Sequence, residues 1–140
     1  MDFTMYKTIL VPVDIAHIEN AATMVDIARS QAGEDTRVVL LNVVEEVPNW
    51  VAATIPANLL SDLEHAAREQ LTAIANASEL NTTVEVRSGH PYQTILKAAE
   101  EIDADLIVIA SHKPGMQDYF LGSVAAKVVR HAKCSVLVER

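Results

Sequence analysis

The chain has 140 residues, half of them apolar, and a formal charge of −8 from 19 acidic and 11 basic side chains. That length suits one domain over residues 1–140, able to bury roughly two-thirds of its unfolded surface. No apolar run approaches the ~18–20 residues needed to cross a bilayer. The scattered basic residues, with one Trp, three Tyr and two Phe, exclude bulk nucleic-acid binding, which demands clustered Lys and Arg.

The first stretch, MDFTMYKTILVPVD, has no basic region, long apolar core or small-residue cleavage site, so a cytoplasmic protein is expected. Thr8–Val13 reads as a buried strand interrupted by Pro12 and closed by Asp14. Ile18–Ala32 carries Ala21, Ala22, Val25 and Ala28 at helical spacing, with Gly33 placed as a C-terminal cap. Thr36–Val44 is a second Val- and Leu-rich strand, and Pro48 to Pro56 is an irregular connection containing Trp50. A long helix follows over Ala57–Ala77, its stripe made by Leu60, Leu63, Ala67, Leu71 and Ile74. Ser61-x-x-Glu64 has the form of a capping box, although Leu59 and Leu60 argue for an earlier start.

Thr83–Arg87 alternates as a short strand, and Gly89-His90-Pro91 turns into a helix with Pro91 at its first position. That helix, through Ile95, Ala99 and Ile102, returns to the uncharged strand Leu106–Ala110. A polar loop with Pro114 and Gly115 leads to Gly122-Ser123 at a helix start, and Ser135–Val138 is the last strand. Apolar strands alternating with helices predict an α/β fold, a parallel sheet covered on both faces. All four glycines (33, 89, 115 and 122) fall at element boundaries in this reading. In such sheets a ligand sits beyond the carboxyl ends of the strands, where strand order reverses.

Strand, loop, Gly-Ser and helix form an arrangement that places an anion on the free N–H groups of a helix's first turn. Gly122 allows close approach and Ser123 adds a hydroxyl; the plainer alternative is a turn and a cap. Asp14 at the first strand's end is either an acceptor for a ribose hydroxyl or adenine amino group, or a cap on the next turn. Val43 lies near the same edge and suits the wall of a flat base pocket. His112 and Lys113 fall in the loop facing the phosphate position, and Asp118 is a lone carboxylate there. Cys134 permits no internal disulfide and reads as a buried inert thiol, agreeing with a reducing compartment. His131 and Cys134 have i, i+3 spacing, but no second pair exists, so a zinc site is not expected. The standard phosphate-loop, dinucleotide, nucleophile-elbow and zinc-protease motifs are absent, so the residues support nucleotide binding better than turnover.

Lys7-Thr8-Ile9-Leu10-Val11-Pro12-Val13-Asp14 together with Gly122-Ser123-Val124 and Val129 to Val138 resemble the universal stress proteins. His112-Lys113-Pro114 and Tyr119 to Ser123 are similar to the family's F-type, nucleotide-binding subgroup. The resemblance implies one three-layer domain with a five-stranded parallel sheet in the order 3-2-1-4-5. It implies a homodimer through the last strand, Ser135, Val136, Leu137 and Val138. It also implies ATP, or ADP or AMP, with or without magnesium. The base would lie over Pro12 and Val13 between Asp14 and Val43, the phosphates near Ile109, Ala110, His112, Lys113, Gly122, Ser123 and Val124. The family loop G-x2-G-x9-G-[ST] is altered: Ala110 and Lys113 replace its first two glycines, and the stretch before Gly122 is one residue shorter. The expected function is an adenine-nucleotide-binding dimer in a stress response. A nucleotide-free interaction module and a slow ATPase or autophosphorylating protein are the alternatives.

Overall fold

Apolar runs without alternation must be hidden on both sides, and here they become the strands of one sheet. A computed structural model describes residues 5–111 and 121–140. Its strands are β1 (Tyr6–Pro12), β2 (Ala32–Glu45), β3 (Asn81–Gly89), β4 (Leu106–Ala110) and β5 (Ser135–Glu139). They are all parallel, in the order β3-β2-β1-β4-β5, as expected. Ile9, Leu10 and Val11 at the centre of β1 are wholly buried, as are Leu40 and Leu41 beside them. Pro12 ends the strand because it has no N–H for the ladder. Asp105 fixes the start of β4 against β1, its carboxylate accepting the N–H groups of Lys7 and Thr8 at 2.9 Å each.

Both faces are covered by helices. On one lie α1 (Ala21–Ser30) and, after the single turn α2 (Asn49–Ala52), α3 (Ala57–Ala77). On the other lie α4 (Pro91–Glu101) and α5 (Ser123–His131). The first layer packs Met24, Val25, Ala28 and Leu71 on Ile9, Val11, Val38 and Val108. The second packs Ile95, Ala98, Ala125 and Val128 on Leu10, Leu41, Ile107 and Ile109. Among the described residues no helix is long and apolar enough to cross a membrane.

Several expected boundaries move. The helix expected over Ile18–Ala32 begins as a 3-10 turn, Ile15–Asn20, and α1 proper runs only to Ser30. Gln31 closes α1, so Gly33 is not its cap but lies inside β2. There the register slips between the Tyr6–Ala32 and Thr8–Arg37 pairs, and the Gly33 N–H donates to Thr36 Oγ1 at 2.8 Å. The second and third strands extend beyond Thr36–Val44 and Thr83–Arg87, because backbone pairing continues past the last apolar residue. Ser61 and Glu64 fall within α3, which starts at Ala57 after Pro56, so they form no capping box. Gly89 does occupy the turn it was given. Its φ is +146°, and a Cβ there would meet Thr94 Oγ1 at 2.6 Å, so only glycine fits.

The chain moves outward from β1 through β2 to β3, then crosses to β4 and β5 on the other side. The carboxyl ends of β1 and β4 therefore bound the crevice where strand order reverses.

Candidate functional site

At that crevice lies a cleft of about 360 Å³. The ends of β1 and β4 supply Pro12, Val13, Ile109 and Ala110, with Asp14 just beyond β1. Val43 comes from β2 and Gly122, Ser123 and Val124 from the start of α5. These nine sequence-predicted residues are thus brought to one place. His112 and Lys113, with Pro114, Gly115 and Asp118, lie outside the described residues.

The cleft floor is held by hydrogen bonds that also determine which backbone groups are open. The Val13 N–H donates to the Leu41 carbonyl at 2.8 Å, so the peptide groups of Leu41 face β1. Peptide groups alternate along a strand, so those of Val43 face the same way, beyond the last residue of β1. Asn42, 7% exposed, donates from Nδ2 to the Val13 carbonyl at 2.9 Å. This side chain occupies the acceptor that would otherwise draw the Val43 N–H. Val43 therefore offers the cleft a donor and an acceptor from its main chain as well as an apolar side chain.

Asp14 performs the plainer of its two expected roles. Its Oδ1 accepts the Ala16 N–H at 2.9 Å and caps the 3-10 turn. The carboxylate is exposed on the cleft wall, and its other oxygen makes no hydrogen bond with a described residue.

Opposite, α5 begins without a side-chain cap. The first helical bond runs from the Ala126 N–H to the Gly122 carbonyl at 2.9 Å. The N–H groups of Ser123, Val124 and Ala125 precede it and have no helical acceptor. All three residues line the cleft. Aligned peptide dipoles add a partial positive charge at this end, while Arg130 and His131 stand at the other. The Gly122 N–H is taken by Ser111 Oγ at 3.2 Å, which ties the end of β4 to the head of α5. Gly122 has φ −60° and ψ 155°. That backbone suits any residue, so the absence of a side chain here leaves space and relieves no strain.

Sequence reasoning missed Asn42, Ser111, His17 and Glu45. Asn42 and Ser111 act on main-chain groups distant in sequence, and no local pattern announces them. His17 and Glu45 line the cleft; Glu45 was legible as the acid that closes the second strand. Among the described residues no three His, Cys, Asp or Glu side chains gather into a group able to hold a metal ion. Cys134 lies apart, just before β5, and is half-buried where the sequence suggested a buried thiol. Burial, then the Asp105 carboxylate, pushes its thiol above the usual range, which favours the unreactive protonated form.

The model of the universal stress protein family matches residues 5–140. Universal stress protein G of Escherichia coli O157:H7 is 32% identical over 142 residues, covering 97% of this chain and 100% of that protein. Universal stress protein UspA from Lactobacillus plantarum is 28% identical with a TM-score of 0.71, covering 99% and 100% of the two chains. Two further structures share the fold at 20% identity. One is a universal stress protein in complex with cAMP, with TM-score 0.73 and coverage of 98% and 99%. The other, from Archaeoglobus fulgidus, is in complex with dAMP, with TM-score 0.64 and coverage of 98% and 100%. This chain belongs to the universal stress protein family.

Proposed function

We propose that the chain binds an adenine nucleotide, ATP foremost, in the cleft between β1, β4 and α5, and acts as a homodimer in a stress response. One observation carries the reading: Ser123, Val124 and Ala125, whose N–H groups have no acceptor among the described residues, line the same cleft as Asp14 and Val43. Three amide N–H groups at a helix start donate to phosphate oxygens. The Val43 donor and acceptor lie at its far side, where the edge of a flat base needs that pair. Asp14, on the wall of the same cleft, would accept from a ribose hydroxyl. The neighbours in complex with cAMP and dAMP support an adenine ligand. No described acidic cluster offers a ready metal cage, so magnesium would enter as the counter-ion of the phosphates, with Asp14 and Glu45 nearby.

Calorimetric titration of nucleotide-stripped protein with ATP tests this, using Gly122→Val as the control. Valine tolerates the Gly122 backbone, so its effect reports the space beside the phosphates. We expect one-to-one binding for the native chain and at least a tenfold loss in the variant. Equal affinity in the two would place the ligand elsewhere.

A second reading, a dimeric interaction module of the same fold, is favoured by Trp50, which is 80% exposed at the α2 turn. It predicts that millimolar ATP changes neither Trp50 fluorescence nor the melting temperature.

A further inference from the structure

The apolar side of α3 that buries Ala67 and Leu71 continues past the point where its packing on the sheet stops. Of the six large apolar side chains exposed among the described residues, four fall in one short stretch: Trp50, Leu59, Leu60 and Leu63. Trp50 stands on α2, and residues 53–56 join that turn to α3. Leu59 and Leu60 each lie one turn before Leu63, so the three share one side of the helix. Neither layer of the core takes an apolar side chain from between Glu46 and Ala66. Ordering such a segment costs conformational entropy that burial within this domain does not offset. A helical stripe without a partner in its own fold matches the side of another helix.

Charge selects that helix. Between Arg37 and Arg68 the chain has no Lys or Arg. Glu46, Asp62 and Glu64 are exposed in this stretch, and none makes an ion pair among the described residues. Asp62 lies one turn from Leu59 and Glu64 one turn from Leu60, so carboxylates border the leucines. A second copy docked through the same surface would set these acids against each other, and an anionic lipid surface would repel them. We propose that the start of α3, with Trp50 of α2, docks a basic amphipathic helix of a partner protein. Its apolar side covers the leucines, its Lys or Arg side chains meet Asp62 and Glu64, and Trp50 supplies the aromatic anchor common in such interfaces. None of residues 46–66 lines the nucleotide cleft, so docking here does not depend on that ligand.

Trp50 is the one tryptophan of the chain, so its emission reports the surface without a label. The full native chain is titrated with a synthetic helical peptide of Leu and Lys, beside a counterpart in which Glu replaces every Lys. The Leu-Lys peptide should shift Trp50 emission to shorter wavelength and saturate, and the Leu-Glu peptide should not. Leu60→Ser with Leu63→Ser should weaken binding about tenfold or more at an unchanged melting temperature. Asp62→Asn with Glu64→Gln should weaken it by roughly fivefold and flatten its dependence on salt. Glu34→Gln with Asp35→Asn removes the same charge outside the surface and should leave the affinity unchanged. Equal binding of the two peptides, a Trp50 shift that survives the Leu variants, or equal losses in the two charge variants would overturn the proposal. So would a Trp50 shift that grows with protein concentration without peptide, which gives the surface to a second copy. A shift produced by phosphatidylcholine vesicles alone gives it to lipid and overturns the proposal equally.

Discussion

Asp14 Oδ1 already accepts the Ala16 N–H, so removing this side chain disturbs the turn as well as any ligand. The two roles separate by choice of replacement. Asn keeps the capping acceptor and loses only the charge, whereas Ala loses both. A lost cap costs about 1 kcal/mol. Asp14→Ala should therefore lower unfolding stability by about that amount, while Asp14→Asn stays within about 0.5 kcal/mol of the native chain. Both should weaken ATP binding by roughly tenfold, the worth of one hydrogen bond to a charged acceptor. If Asp14→Asn binds ATP as the native chain does, the carboxylate serves only the turn. Asp14 and Gly122 were legible because each stands where an apolar run stops or a helix begins, and Val43 only beside them, since alone it reads as core. Asn42 and Ser111 were not, since their partners, the Val13 carbonyl and the Gly122 N–H, lie 29 and 11 residues away. Their function is a property of the folded contact and leaves no trace in local sequence.

α3 carries the same contrast along one helix. Its stripe of Leu60, Leu63, Ala67, Leu71 and Ile74 has uniform helical spacing, yet only the later part is covered. Leu71 is fully buried and Ala67 nearly so, whereas Leu60 and Leu63 are 37% and 47% exposed. Periodicity specifies which side of a helix is apolar; it does not specify how far along that side a partner exists. Residues 56–66 are all exposed, so the first turns of α3 project beyond its packing on the sheet. A consequence follows for stability. Leu71→Ala opens a void in the layer beneath α1 and α3 and should cost about 2–5 kcal/mol. Leu63→Ala removes a half-exposed side chain outside the core and should stay within about 0.5 kcal/mol. Urea denaturation of the two variants measures the difference directly. Equal losses would mean that the early turns of α3 are covered in solution, most simply by another molecule.

The sheet has two edges, and they differ in ways that bear on assembly. β3 presents Glu85 and Arg87, and Arg87 pairs with Glu85 at 3.1 Å and with Glu101 at 2.8 Å. Charged side chains on an edge discourage pairing with another strand. β5 has no charge before Glu139, and Val136, Leu137 and Val138 are half-buried. The Ser111 N–H donates to the Glu139 carbonyl at 2.8 Å, so Glu139 faces β4. By alternation Leu137 and Ser135 also face β4, and the peptide groups of Val136 and Val138 face outward. In the homodimer proposed above, those outward groups would pair with the same groups of a second copy. Proline separates this seam from the fold. At Val136 it deletes an outward N–H that no internal ladder uses, while at Leu137 it deletes one owed to β4. Light scattering after gel filtration should give the native chain twice the 15.2 kDa of one chain. Val136→Pro should reduce that to a single-chain mass while keeping a cooperative melt, and Leu137→Pro should lose the melt as well. A Val136→Pro protein that retains the double mass would move the seam away from β5, and the exposed start of α3 would be the next surface to probe.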